Sequence, residues 1–165
     1  MRSGAADAGF TLVEVAVAAA IVAILATMAV PSMVNGIVRR QIVDAVPLAD
    51  IVKTAVASSW STLHALPTDN AGAGLPPAAK IVSNYVSSVA IVGGAIDITF
   101  GNNVHRSIAG KVLTLRPAVV PDTPIVPVAW VCAHAPVPGG MTVLGEDHTD
   151  VPPAMLPYNC QASAG

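Results

Sequence analysis

The sequence predicts an α+β fold: a long, kinked N-terminal α-helix packed against a four-stranded antiparallel β-sheet, followed by a cysteine-bounded C-terminal loop. Three observations predict it. Residues 10–38 carry one charge, Glu14, within a long apolar run. Behind that run, apolar residues recur at alternating spacings of four and three, the period of one helix face. The second half instead alternates polar and apolar residues in short runs divided by glycine and proline.

The chain has 165 residues, enough for one domain and an appendage. Charged residues make up 11 %, well below the usual share of about 25 %, and residues 15–38 carry none at all. Net charge is -2 and the pI is near 6.0, so no global basic field attracts nucleic acid. The two cysteines, Cys132 and Cys160, both fall late, at a spacing that suits no common zinc motif. An exported disulfide is the leading reading.

The first element opens with "MRSGAADAG", a short polar leader that abuts the apolar run. A secretory signal has a basic region, a short apolar core and a small-residue cleavage site, and this order differs. The apolar run is about 20 residues, long enough to cross a bilayer as a helix. Glu14 complicates a simple anchor, because a carboxylate in lipid costs a few kcal/mol and usually has a partner. No basic side chain lies within helical reach of it. A cut between Gly9 and Phe10 would create a partner, an α-amine positive below a pKa of about 8. The plainer alternative places Glu14 at headgroup depth.

Pro31 sits inside the apolar run, where it removes one backbone hydrogen bond and crowds the preceding turn, so a kink is expected there. Beyond it the stripe Val38, Ile42, Ala45, Ala49, Val52 and Val56 should pack on a globular part. Arg39, Arg40, Asp44, Asp50 and Lys53 lie largely off the stripe and read as a solvated charge pattern. Pro47 should add a second, gentler bend. A helix over 10–63 would run roughly 80 Å at 1.5 Å per residue, and half of it has no partner in its own chain.

Residues 64–80, rich in Pro, Gly and Ala, read as a connecting loop. The sheet is expected over 81–131. There "YVSSVAIV" precedes Gly93-Gly94, "AIDITF" precedes Gly101-Asn102-Asn103, and "KVLTLRP" leads through prolines to "VPVAWVC". Gly-Gly between two such runs favours a tight hairpin. Ile96, Ile98 and Phe100 alternate with Asp97 and Thr99, and Leu113 and Leu115 with Thr114 and Arg116. Each strand should therefore have one buried and one wet face. The cysteine-bounded loop takes 132–160 and a short tail 161–165.

No catalytic constellation is present, and the chain is read as a non-enzyme without cofactor. His64, His105, His134 and His148 are scattered, and no phosphate loop, nucleophile elbow or metalloprotease motif occurs. The dense acidic cluster "EDHTD", Glu146 to Asp150, offers oxygens for Ca²⁺ but lacks the glycine and spacing of an EF-hand. It reads as an exposed, solvated loop, with no metal site. Trp60 and Trp130 read as packing residues.

The stretch "GFTLVE" at the head of an apolar helix resembles the processing site of class III signal sequences, found in type IV pilins and their relatives. The resemblance implies cleavage after Gly9 by a prepilin peptidase, N-methylation of Phe10, and a role for Glu14 with Phe10 in filament assembly. "YVSSVAIVGGAIDITFGNN", "GKVLTLRP", "VAWVC" and "LPYNC" resemble in order the sheet and C-terminal loop of major pilins of the type IVa group. That implies the pilin fold and a Cys132–Cys160 disulfide closing the loop. It further implies a homo-oligomeric helical filament, built at an inner-membrane assembly platform from subunits first held in the inner membrane, then extracellular on the cell surface. Adhesion, twitching motility and DNA uptake are the uses it carries, with a host surface or DNA as partner. A type II secretion pseudopilin or a minor pilin ranks second, and a membrane-tethered periplasmic binding domain third.

Overall fold

The computed structural model describes residues 11–162, with the side chains of residues 28–32 outside that description. These residues divide into two compact units, with the boundary between residues 35 and 36. Helix α1 (Leu12–Ala45) begins in the first and ends in the second.

In the first unit the helix starts at Thr11. Its hydroxyl oxygen accepts the backbone N–H of Glu14 at 3.2 Å, and its carbonyl accepts that of Val15 at 3.2 Å. This is one half of a Thr-x-x-Glu capping box, which satisfies an amide that the first helical turn leaves unpaired. Residues 11–27 are all exposed. Among the described residues no helix is long and apolar enough to cross a membrane. The expected span also takes in Phe10 and the side chains of 28–32, which lie outside them. The helix continues through position 31.

The second unit holds the core. α1 ends at Ala45, where Pro47 follows; proline lacks the N–H that would bond the carbonyl of Val43 and crowds it sterically. The chain passes through a 3-10 turn, Val46–Ala49, and resumes as α2 (Asp50–Leu63). His64 closes α2 in the left-handed region, at φ 54°, and donates its N–H to the Trp60 carbonyl at 3.0 Å. Across this interruption Val38, Ile42, Ala45, Ala49, Val52 and Val56 are all fully buried. The 3-10 turn thus changes the hydrogen bonding without turning the stripe off the core.

Five strands follow: β1 (Val86–Val92), β2 (Ala95–Phe100), β3 (Val112–Val119), β4 (Ala129–Cys132) and a two-residue β5 (Thr142–Val143). β1 to β4 form an antiparallel sheet in sequence order. β5 pairs Ala118 and Val119, past the last residue of β3 that β2 reaches. The β1–β2 hairpin turns on Gly93 and Gly94, both with positive φ (56° and 87°), in a two-residue loop between the paired Val92 and Ala95. Such turns match the twist of the flanking strands and are open to glycine at low cost. Gly94 is fixed twice over, since a Cβ there would lie 2.5 Å from the Leu66 side chain.

Val86, Val89, Ile96, Ile98, Phe100 and Leu113 are completely buried and form the sheet's share of the core. At about 25 cal/mol per Å² of apolar surface, each such side chain contributes roughly 1.5–3 kcal/mol. The expected wet face is absent from β3, however. Thr114 is completely buried, and β3 reads as buried over most of its length. Alternation locates two faces, but it does not say whether another part of the chain covers the polar one.

The connecting loop is held by Asn70, which is 7 % exposed. Its amide nitrogen donates to the carbonyls of Val89 and Pro76, both at 3.0 Å, and its oxygen accepts the Ile91 N–H at 2.7 Å. One side chain thereby occupies two backbone positions of edge strand β1 that no other strand pairs. Asn70→Ala is expected to cost about 2–3 kcal/mol, because it strands a buried N–H and a carbonyl. Chemical denaturation of the full chain measures this, and a loss under about 0.5 kcal/mol would show the bonds replaced by water.

Candidate functional site

Three places draw together the residues singled out in the sequence. The first is the start of α1. Gly9 and Phe10 lie outside the described residues. Glu14 is exposed on the first turn, where an acidic side chain is favourable near the positive end of the helix dipole. Around it Leu12, Val13, Val15, Val17, Ile21 and Leu25 are each more than half exposed. Thr11, which fixes this helix start, went unnoticed in the sequence, although Thr-x-x-Glu before an apolar run is a readable signal.

The second place is the disulfide. Cys132 at the end of β4 is bonded to Cys160 in a 3-10 turn, Tyr158–Cys160. His134 N–H donates to the Cys160 carbonyl at 3.2 Å, which ties the two ends again beside the bond. Trp130 and Lys53 line a small cavity of about 240 Å³ against it, with Leu115, Pro47 and Pro157. Nearby, Arg39 departs from the expected solvated pattern. Its guanidinium donates to the Ala154 carbonyl at 2.7 Å and lies over the Tyr158 ring, 4.5 Å from the centroid. Arg40, one residue on, is exposed as expected.

The third place qualifies the reading of the 146–150 cluster as an exposed, solvated loop: Glu146, His148 and Asp150 are exposed as expected, but the segment is fixed in place. This segment is strapped to β2 and β3. Gly145 brings it in beside Ala95, so closely that a Cβ at Gly145 would lie 2.8 Å from the Ala95 methyl. Asp150 then pairs with Val112 as a strand would: its N–H donates to the Val112 carbonyl at 3.1 Å, and its carboxylate accepts the Val112 N–H at 2.6 Å. The Thr149 hydroxyl accepts the Thr114 N–H at 3.0 Å. These bonds fill the part of β3 that β4, which starts pairing at Leu115, leaves open.

Thr114 joins strap and sheet. Its hydroxyl donates to Asp97 Oδ1 at 2.7 Å and accepts the His148 N–H at 3.0 Å. His148 Nδ1 meets Asp97 Oδ2 at 2.8 Å, and its Nε2 lies 3.6 Å from Glu146. Asp147 faces His134 at 3.1 Å and Arg116 at 3.9 Å, and accepts the Thr149 N–H at 3.0 Å. Burial pushes the Asp147 carboxyl up, but the Thr149 hydrogen bonds and the Arg116 and His134 charges together hold it below its ordinary 3.8. The Asp97 hydrogen bond and charge raise the His148 imidazole above its ordinary 6.5.

The other histidines serve locally. His64 caps α2, while His105 bonds Ser107 at 2.8 Å and donates its backbone N–H to Gln41 at 2.9 Å. Among the described residues no group of three or more His, Cys, Asp or Glu is placed to hold a metal.

Comparison with known proteins decides what carries these features. Residues 38–161 match the family Pilin, described as pilin (bacterial filament), and residues 5–30 match the prokaryotic N-terminal methylation motif. The chain belongs to the pilin family. It is a type IV pilin, of a structural and non-enzymatic kind. This pilin is 36 % identical over 108 residues to the type IV major pilin protein PilE of Neisseria gonorrhoeae, a match covering 65 % of each chain. A PilE1 of the same species is 30 % identical over 162 residues, covering 94 % of this pilin and 88 % of that one. Fimbrial protein EcpC of Eikenella corrodens is 36 % identical over 113 residues, 66 % of this pilin and 72 % of the relative. The methylation motif takes in Gly9, Phe10 and Glu14, and the pilin match takes in both cysteines.

Proposed function

We propose that this pilin is the repeating subunit of a type IV pilus, assembled through the first half of α1. The observation that carries the reading is the run of exposed residues 11–27, apolar but for Glu14 and the two threonines, Thr11 and Thr27. A surface of that composition needs lipid or copies of itself around it. Lipid serves before assembly, with the subunit held in the inner membrane; other subunits serve afterwards, in a filament on the cell surface.

In this reading a prepilin peptidase removes residues 1–9 and leaves a positive α-amine on Phe10, four residues before Glu14. A neighbour's amine and this carboxylate neutralise one another in the filament core, which offsets the cost of holding either charge away from water. The inner-membrane assembly platform is the proposed partner in that transfer. Surface adhesion, twitching motility and DNA uptake are the proposed uses of the finished filament.

A filament map tests the proposal. Filaments sheared from cells should contain this chain, with residues 12–27 of adjacent copies packed around the axis. The helix should be least regular around Pro31, where proline has already removed one rung and neighbours can replace what is lost. Unbroken helical bonding from residue 23 to 35, apart from that rung, would refute the Pro31 prediction. Recovery of the chain only as a membrane-bound monomer would refute the filament.

A further inference from the structure

We propose that residues 145–150 form a proton-responsive clasp, in which charging of His148 draws the strap onto Asp97 of β2 and its discharge loosens the strap from β3. Three features of the geometry carry this. His148 is the only strap side chain that bridges to β2, and it does so through a 2.8 Å contact with a carboxylate already held by the Thr114 hydroxyl. Its second ring nitrogen faces another carboxylate, Glu146, at 3.6 Å. With both nitrogens directed at acids, the ring serves both contacts as a donor only when it carries two protons.

The charged groups around it divide by element. Asp97 comes from β2, Arg116 from β3 and Lys111 from the residue before β3; Glu146, Asp147 and Asp150 come from the strap. His134 comes from the turn after β4, and it meets Asp147 at 3.1 Å. Arg116 adds its own tie, donating to the Ala133 carbonyl at 3.0 Å, while its Nε is buried without a partner. Asp147 is thus held by the Thr149 hydrogen bonds and the fixed charge of Arg116 whether or not His134 is charged, whereas the His148 contact with Asp97 depends on a proton.

The direction follows from the two groups with displaced titration. His148 titrates above 6.5, so its contribution is complete below that value and fades as pH rises through the raised one. Asp147 titrates below 3.8, so its contribution persists in mild acid and fades only as pH falls through the lowered value. The clasp is tightest between the two, in mildly acidic solution, and loosens in alkali. Strap and disulfide loop share one chain segment, so the protein's cysteine-bounded surface is held more firmly in acid than in base.

Amide exchange of the full mature chain in detergent tests this, at about pH 6 and about pH 8.5 with rates corrected for intrinsic chemistry. Protection of the peptide spanning 145–151 should rise at least about threefold at the lower pH, while the β1–β2 hairpin stays unchanged. In His148→Gln, which retains one polar contact, the rise should vanish. Equal protection at both pH values in the parent chain, or the same rise in His148→Gln, would overturn the clasp. Should that variant fail to fold, NMR titration of the parent decides: an imidazole of His148 titrating at or below 6.5 overturns the proposal, and one titrating above it supports it.

Discussion

Replacing Cys132 or Cys160 by serine is expected to lower the stability of the globular unit by about 3.5 kcal/mol. The bond closes a loop with a sequence separation of 28, and in the chain-entropy model most of its effect comes from restricting the unfolded chain. The loop buries few apolar side chains of its own and is otherwise held by polar ties. Between the cysteines the buried apolar residues are Ala133, Val151, Leu156 and Pro157, and the other ties are the strap, the short β5 pairing with β3, the Arg39 contacts with Ala154 and Tyr158, and the bond from His134 to the Cys160 carbonyl. A domain of this size has about 5–15 kcal/mol in total, so the loss is large. Guanidinium denaturation with and without reductant measures it. A change below about 1 kcal/mol would mean that the non-covalent ties, not the disulfide, carry the loop.

The contrast between stripe and strap shows what the sequence made legible. Six residues from Val38 to Val56 were predicted as one helix face, and all six are fully buried. That pattern is local: each residue lies three or four positions from the next, and helix geometry does the rest. The Gly93-Gly94 turn is local in the same sense. Asn70, Thr114 and Arg39 find their partners far along the chain, at Ile91, Thr149 and Ala154, and no periodicity records such pairs. The polar cluster at 146–150 is as exposed as its composition suggests at Glu146, His148 and Asp150, but its attachment is not legible: β3 exposes backbone groups that β4 is too short to cover, and the cluster fills them. A strand edge left open is a structural fact before it is a sequence fact.

The second large effect concerns Glu14. Glu14→Ala should leave the subunit folded, since an exposed acid in the first helical turn contributes only about 0.3–1 kcal/mol through the dipole. Filament yield should nonetheless fall by about tenfold or more, because breaking a desolvated charge pair costs of order 3 kcal/mol at each contact. Glu14→Gln separates charge from size: it keeps the shape and an acceptor oxygen for the amine, yet should assemble almost as poorly. The membrane pool of either variant should be undiminished, as removing a carboxylate favours residence in lipid. Comparing sheared and membrane fractions checks both expectations. Normal yield from Glu14→Gln would show that the carboxylate's charge is not an assembly contact.

Everything proposed about assembly depends on one bond being cut, because only cleavage after Gly9 supplies the amine that Glu14 is proposed to meet. Intact-mass measurement of the chain recovered from sheared surface filaments tests this most directly. The mature protein should lack residues 1–9 and carry one methyl group on Phe10. A filament-derived chain still beginning at Met1 would contradict the account.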